Sequence, residues 1–157
     1  MVRLAGAWLL LVLLGLAQPL AAQTFPALSG RVVDTAALLS PAQKASLEAK
    51  LAVQEVASGH QLVVATVPDL QGYPIEDYGY RLGRAWALGD KARDDGVILL
   101  VAKNDRKLRI EVGYGLEPVL TDAFSSLVIN QTIMPRFKAG DFAGGIDAGV
   151  DAIAAQI

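Results

Sequence analysis

Two neighbouring segments predict a β-hairpin, and this prediction constrains the fold more than any other feature of the chain. The first segment is a continuous apolar run, GVILLVA at 96–102, which is typical of a strand buried on both faces. The second segment, LRIEVGY at 108–114, alternates apolar and polar residues, as half-buried strands do. The residues between them, 103–106, favour a turn, because Asn and Asp tolerate positive φ and hydrogen-bond their own backbone.

A turn centred on Asn104 and Asp105 also predicts the register of the hairpin. Antiparallel partners lie at equal distances from the turn, so Val97 should face Val112. Residues that precede the first strand therefore emerge beside residues that follow the second.

Four acidic residues flank the hairpin, and this pairing brings them to the same edge of the sheet. Asp94 and Asp95 precede the first strand, whereas Glu117 and Asp122 follow the second. Carboxylates that converge repel one another unless a cation lies among them, and oxygen ligands of this kind suit Ca²⁺ or Mg²⁺. The alternative is a solvated acidic loop.

Two glycines surround Tyr114, which follows the second strand. Gly113 and Gly115 would let the backbone approach another group closely, as a loop over an ion or an anion requires. They would serve equally well as ordinary turn glycines, so the pattern leaves both interpretations open.

Any catalytic chemistry would rest on Arg93, Asp94 and Asp95 together with a metal. Arg93 could hold a phosphate group by bidentate contacts, or it could pair with Asp94 or Asp122 instead. There is no cysteine and no Gly-x-Ser-x-Gly elbow, which argues against thiol and serine hydrolases. The only histidine, His60, is either a ligand at this edge or a surface residue.

The remaining segments predict helices that cover a small mixed sheet. Ser40 and Pro41 begin a helix that ends at Gly59, and a strand at 61–67 follows. Helices are also predicted at 73–88, at 121–133 with Pro135 ending it, and from 141 to the C-terminus. The order strand, helix, strand places 61–67 parallel to 96–102.

The N-terminus predicts export. Residues 1–22 have the pattern of a secretory signal peptide, with Arg3, an apolar core at 4–17 and small residues before a cleavage site after Ala22. Residues 23–157 then form one domain, released to the periplasm or outside the cell, with no retained transmembrane segment and expected to be a monomer. This domain has a net charge of about −3 and no basic cluster in its sequence, so nucleic acid is not an expected partner.

The order of several motifs resembles the TPM domain family. The motifs are FP at 25–26, VVD at 32–34, LLS at 38–40, RDDGV at 93–97, RKLR at 106–109, GYGLE at 113–117 and TD at 121–122. Pro135, Phe137 and the segment 140–145 extend the resemblance almost to the end of the chain. The resemblance therefore covers nearly all of the expected mature domain.

The resemblance implies an α/β/α sandwich with an acidic cleft that binds a divalent cation. It implies metal ligands among Asp34, Asp94, Asp95, Glu117 and Asp122. We expect an accessory role for such a domain at the cell envelope or at a membrane protein complex. Some relatives are described as acid phosphatases, so metal-dependent hydrolysis of phosphomonoesters is the alternative.

Overall fold

A computed structural model describes residues 22–157, so the predicted signal peptide lies, apart from Ala22, outside the described residues. Four strands lie within these described residues: β1 (Val32–Asp34), β2 (Gln61–Val67), β3 (Gly96–Ala102) and β4 (Lys107–Val112). The helices are α1 (Pro41–Ser58), α2 (Ile75–Trp86), α3 (Asp122–Leu127), α4 (Met134–Lys138) and α5 (Phe142–Ala154). A 3₁₀ turn covers Tyr114–Leu116, and a π-helical segment covers Val128–Ile133. Within 22–157, no helix is both long enough and apolar enough to span a bilayer.

The strands form one mixed sheet in the order β1-β2-β3-β4. The first three strands are parallel, and β4 runs antiparallel to β3. The predicted hairpin register is confirmed, since Val97 pairs with Val112 and Ala102 pairs with Lys107. The amino ends of β2 and β3 therefore lie together with the carboxyl end of β4.

Helices cover both faces of the sheet, which confirms the three-layer α/β/α arrangement. All of β3 is buried, and its side chains alternate between two apolar clusters. Leu99 belongs to the cluster formed with α1, α5 and the π-helical segment. Ile98 and Leu100 belong to the other, with Tyr78 and Leu82 of α2. Burial on both faces explains why this strand has no polar residue.

Local chemistry accounts for the boundaries of α1. The Ser40 hydroxyl accepts a hydrogen bond from the Gln43 backbone N–H, and the Gln43 side chain accepts one from the Ser40 N–H, at 3.2 and 2.8 Å. This capping box satisfies two N–H groups that have no partner within the helix. Gly59 ends the helix at a φ of 75°.

The prediction that Pro135 ends the third helix is wrong. The chain passes from α3 through the π-helical segment directly into α4, and Pro135 lies in the first turn of α4. Proline lacks the N–H that a helix interior requires, but a first turn does not need that donor. The change of hydrogen-bond pattern before Pro135 therefore lets helical structure continue through it.

Candidate functional site

The loop that enters β3 is organised around one buried carboxylate. Asp95 is only 3% exposed. Its Oδ1 accepts a hydrogen bond from the Asp90 backbone N–H at 2.7 Å, and its Oδ2 lies 3.0 Å from Nδ1 of His60. The same Oδ2 lies 3.2 Å from Nε of Arg93. Both oxygens of Asp95 thus have partners within the protein, and the carboxylate links the starts of β2 and β3.

These partners keep Asp95 ionised. Burial raises the pKa of Asp95, but the Asp90 N–H, the His60 hydrogen bond and the positive charge of Arg93 together outweigh it, so the pKa lies below its usual value of 3.8. Asp95 therefore carries a negative charge over the physiological range and balances the charge of Arg93.

Asp94, the preceding residue, has a left-handed backbone with a φ of 48°. Two hydrogen bonds from the turn after β4 stabilise this conformation: the Tyr114 N–H donates to Oδ2 of Asp94 at 3.2 Å, and the Gly115 N–H donates to its carbonyl oxygen at 2.9 Å. Asp is among the residues that tolerate this region. The α2–β3 loop and the turn after β4 are therefore one connected unit.

The two glycines of that turn make the close approach predicted for them, and it is an approach to backbone. A side chain at Gly113 would overlap the carbonyl oxygen of Asp94, and one at Gly115 would overlap the carbonyl oxygen of Arg93. The GYG sequence therefore allows two backbone segments to touch. The sequence did not show that the group approached by Gly113 and Gly115 would be the backbone of the α2–β3 loop.

A pocket of about 790 Å³ lies between α2, the α2–β3 loop and the end of β4. Its lining contains charged side chains of both signs: Arg84, Asp90, Lys91, Asp94, Glu111 and Glu117. Tyr80 and Tyr114 add aromatic surface. We call this space the acidic pocket, because four of its six charged groups are carboxylates.

The five predicted metal ligands have different surroundings. Asp94 and Glu117 line the acidic pocket. Asp95 is buried among its own partners, and Asp122 is exposed in the first turn of α3, where a negative charge stabilises the helix. Among residues 22–157, no three His, Cys, Asp or Glu side chains come together as a ligand group.

The fifth predicted ligand, Asp34, lies at the carboxyl end of β1, beside Thr66 near the end of β2. Its two carboxylate oxygens accept hydrogen bonds from the N–H groups of Leu38 and Leu39 at 3.0 and 2.9 Å, and from the Thr66 hydroxyl. Because β1 to β3 are parallel, this end is the edge of the sheet opposite to Asp95. The side chain shapes the turn into α1.

The arginines near the hairpin follow the predictions only in part. Arg93 pairs with Asp95 and Asp90 rather than with Asp94 or Asp122, and its Nη2 lies 3.4 Å from the carbonyl oxygen of Gly59. Arg109 and Glu111, which lie on the same face of β4, form an ion pair with Nε and Oε2 2.5 Å apart.

Sequence reasoning missed the groups that α2 and the following loop bring to the acidic pocket, namely Tyr80, Arg84 and Lys91. In the sequence they read as the solvent side of an amphipathic helix and its exit loop. Only the position of α2 beside the end of β4 could have shown that they share a pocket with Asp94.

The acidic pocket contains two of the five predicted metal ligands. Mg²⁺ usually keeps several waters and binds proteins through one or two carboxylates, and Asp94 and Glu117 supply two. Glu111 already pairs with Arg109, and the other three predicted ligands, Asp34, Asp95 and Asp122, do not line this pocket. The residues present therefore suit a hydrated ion rather than an ion enclosed by protein ligands.

A protein family model, TPM_phosphatase, described as the TPM domain, matches residues 32–156, and the chain therefore belongs to the TPM domain family. The N-terminal domain of a protein from P. gingivalis, solved by NMR, is 33% identical, with a TM-score of 0.74 and 80% of each chain covered. No protein of curated function matches the chain.

Two more distant solved structures share the fold. The N-terminal domain of the cg2496 protein from Corynebacterium glutamicum is 16% identical, with a TM-score of 0.64, and the match covers 85% of this chain and 84% of that one. The BA42 protein from the psychrophilic bacterium Bizionia argentinensis is 19% identical, with a TM-score of 0.66 and coverages of 75% and 80%.

Proposed function

We propose that this protein is an exported binding domain that takes up a hydrated divalent cation, Ca²⁺ or Mg²⁺, in the acidic pocket and acts as an accessory at the cell envelope. In this role the ion bridges the α2–β3 loop and the turn after β4. Bound metal then stabilises the surface that a membrane or envelope protein would contact.

One observation carries this proposal: Asp94 and Glu117 come from different loops and line the same pocket. Asp94 has a backbone conformation that few residues adopt, and two N–H groups of the other loop maintain it. Unusual backbone conformations that the surrounding structure enforces are concentrated at functional sites. A cation between the two carboxylates would strengthen the same connection.

A second function, metal-dependent hydrolysis of phosphomonoesters, is supported by Arg84 and Lys91. These cations line the acidic pocket together with the two carboxylates, so a phosphate could contact a metal and a guanidinium at once. The name of the matching family model agrees with this alternative. Arg84 therefore takes the place that the sequence suggested for Arg93, whose charge is balanced by Asp95.

Thermal unfolding with and without metal tests the binding proposal. With cation at about 100 times its dissociation constant, the parent domain should gain roughly 2.7 kcal/mol relative to chelator. A variant with Asp94→Asn and Glu117→Gln should gain almost nothing. The amide oxygen introduced by Asp94→Asn can still accept the hydrogen bond from the Tyr114 N–H, so the fold should survive.

The matched control changes two exposed carboxylates outside the pocket, Asp69→Asn with Glu76→Gln. This control should respond to metal as the parent does. Equal metal responses in both double variants would refute the site, and loss of the response in Asp34→Asn would move it to the opposite edge of the sheet.

A panel of phosphate esters, assayed with Ca²⁺, Mg²⁺, Mn²⁺ and chelator, tests the second function. Turnover that requires metal and falls at least tenfold in Arg84→Gln, with the metal-induced stabilisation retained, would favour the phosphatase. Metal binding without turnover would leave the accessory role.

A further inference from the structure

A second pocket, of about 590 Å³, lies at the opposite end of the hairpin. The end of β3 and the β3–β4 turn form one side, and α4 with the start of α5 forms the other. We call it the basic pocket, because every charged residue in its lining is a cation: Lys103, Arg106, Lys107 and Lys138.

These four cations have no carboxylate partner among residues 22–157, although ten ion pairs are present there. Asp105, in the same turn, forms no ion pair with any of them, and its Oδ2 accepts a hydrogen bond from the Leu70 N–H at 2.9 Å. The whole chain is negatively charged. The basic pocket is therefore locally positive although the chain as a whole is negative, and this favours binding of an anion.

The turn that carries most of these cations is fixed to the neighbouring strand. The backbone N–H groups of Lys103 and Asn104 donate to the carbonyl oxygens of Val67 and Pro68 at 3.0 and 2.9 Å. Nζ of Lys103 lies 3.4 Å from the carbonyl oxygen of Ala36. The rim of the basic pocket is therefore largely formed before a ligand arrives, which reduces the entropy lost on binding.

Apolar groups complete the lining. Met134, Phe137 and Phe142 are only partly buried, and the two rings lie 5.0 Å apart. Phe137 packs against Gly145 of α5, where a side chain would come within 2.6 Å of the ring. The rings thus have defined positions and leave apolar surface open to solvent.

We propose that the basic pocket binds a single-chain anionic amphiphile, a phosphate or carboxylate head on an alkyl chain. The cations would contact the head, and Met134, Phe137 and Phe142 would cover the first methylenes of the chain. The pocket is concave, and its volume lies within the range of small-molecule sites. A protein that binds a membrane surface would instead present a flat or protruding surface. This proposal does not depend on the acidic pocket.

Dodecyl phosphate is the first probe, used below its micellar concentration in an NMR titration of the amide signals of the mature domain. Shifts should be concentrated at residues 101–107 and 134–142. Affinity should rise from butyl to octyl phosphate by about two- to fourfold for each methylene that the pocket covers. Inorganic phosphate and neutral octyl glucoside should bind far more weakly.

Two charge-matched variants separate local contacts from net charge. Lys107→Gln with Lys138→Gln should weaken dodecyl phosphate binding by roughly tenfold or more, since hydrogen bonds to charged groups are lost. Lys44→Gln with Arg81→Gln removes the same charge from exposed positions outside both pockets, where salt screens it, and should change binding by less than about twofold. Met134→Gln should reduce the dependence on chain length without removing the preference for anions.

Three results would overturn the proposal. Equal affinities for inorganic phosphate and dodecyl phosphate would mean a simple anion site. Equal affinities for the neutral and anionic amphiphiles would mean that the cations take no part. Binding to vesicles of phosphatidylglycerol but not to monomeric dodecyl phosphate would mean a membrane surface instead of a pocket for one molecule.

Discussion

His60 and Asp95 lie 3.0 Å apart through Nδ1 of the imidazole and Oδ2 of the carboxylate, which connects the start of β2 to the start of β3. The two amino ends are adjacent because β2 and β3 are parallel, with Gln61 beside Gly96. A histidine that sequence alone left as a ligand or a surface residue is therefore a partner of a buried carboxylate. The stability of this end of the sheet should depend on that carboxylate.

Replacement of Asp95 by Asn should destabilise the domain by about 1 to 3 kcal/mol at neutral pH, because the hydrogen bond with His60 is weakened and the ion pair with Arg93 is lost in a buried setting. Urea unfolding measures the loss. Asp69→Asn, at an exposed carboxylate, is the control and should stay within about 0.5 kcal/mol of the parent. A gain in stability in Asp95→Asn would mean that burying the Asp95 charge costs more free energy than its contacts with His60 and Arg93 return.

The contribution of Asp95 should also depend on pH in a defined direction. Its pKa is lowered by folding from the usual 3.8, so its stabilisation is present above that value and is lost as the pH falls through the folded-state pKa. The difference in unfolding free energy between parent and Asp95→Asn should therefore shrink as the pH falls below about pH 4, where Asp95 begins to bind a proton. Chemical unfolding at several pH values measures it, and a difference that grows below about pH 4 would contradict the assignment.

The fold was largely predictable because its signals are local. The apolar run at 96–102, the alternation that follows and the turn chemistry between them determine the hairpin register, and Ser40 with Gln43 marks the start of α1. Pro135 misled the prediction because its effect depends on hydrogen bonding in the preceding turn, which becomes π-helical.

The sites were less predictable, because they depend on which backbone groups each side chain meets. Asp34 and Asp95 look like their acidic neighbours in sequence, yet N–H groups of their own loops occupy their oxygens. The basic pocket was invisible for a different reason. Lys138 and Lys103 line the same pocket only because the fold places α4 across from the hairpin turn.

Leu99 tests the placement of β3 between two helical layers. Its side chain is fully buried, and Leu99→Ala should cost roughly 2 to 5 kcal/mol through lost contacts and a cavity. Val53→Ala on α1 removes apolar atoms from a residue that is 71% exposed and should change stability by less than about 0.5 kcal/mol. A loss below about 1 kcal/mol in Leu99→Ala would place the strand at the surface.

Export should remove the N-terminal segment. Mass spectrometry of the exported protein should find an N-terminus near Gln23, because small residues precede the predicted cleavage site after Ala22. Recovery of the protein in the membrane fraction with residues 4–17 still attached would contradict the signal-peptide assignment.

Gly115 tests the contact between the two loops beside the acidic pocket. A methyl group there would overlap the carbonyl oxygen of Arg93, which is backbone and cannot rotate away. The turn must then separate from the α2–β3 loop, and the hydrogen bond from the Gly115 N–H to the Asp94 carbonyl oxygen is lost. Gly115→Ala should therefore cost about 1 to 3 kcal/mol in thermal or urea unfolding.

Gly83→Ala is the matched control, since Gly83 also lines the acidic pocket but lies in α2. The nearest atom to its added methyl would be Cδ1 of Ile98 at 3.6 Å, an ordinary contact, and Ala favours a helix interior over Gly by roughly 0.5 to 1 kcal/mol. Gly83→Ala should thus be neutral or stabilising. If the loop contact also positions Asp94, Gly115→Ala should reduce the metal-induced stabilisation while Gly83→Ala retains it. Identical stabilities and identical metal responses in the two variants would show that the contact at Gly115 has no such role.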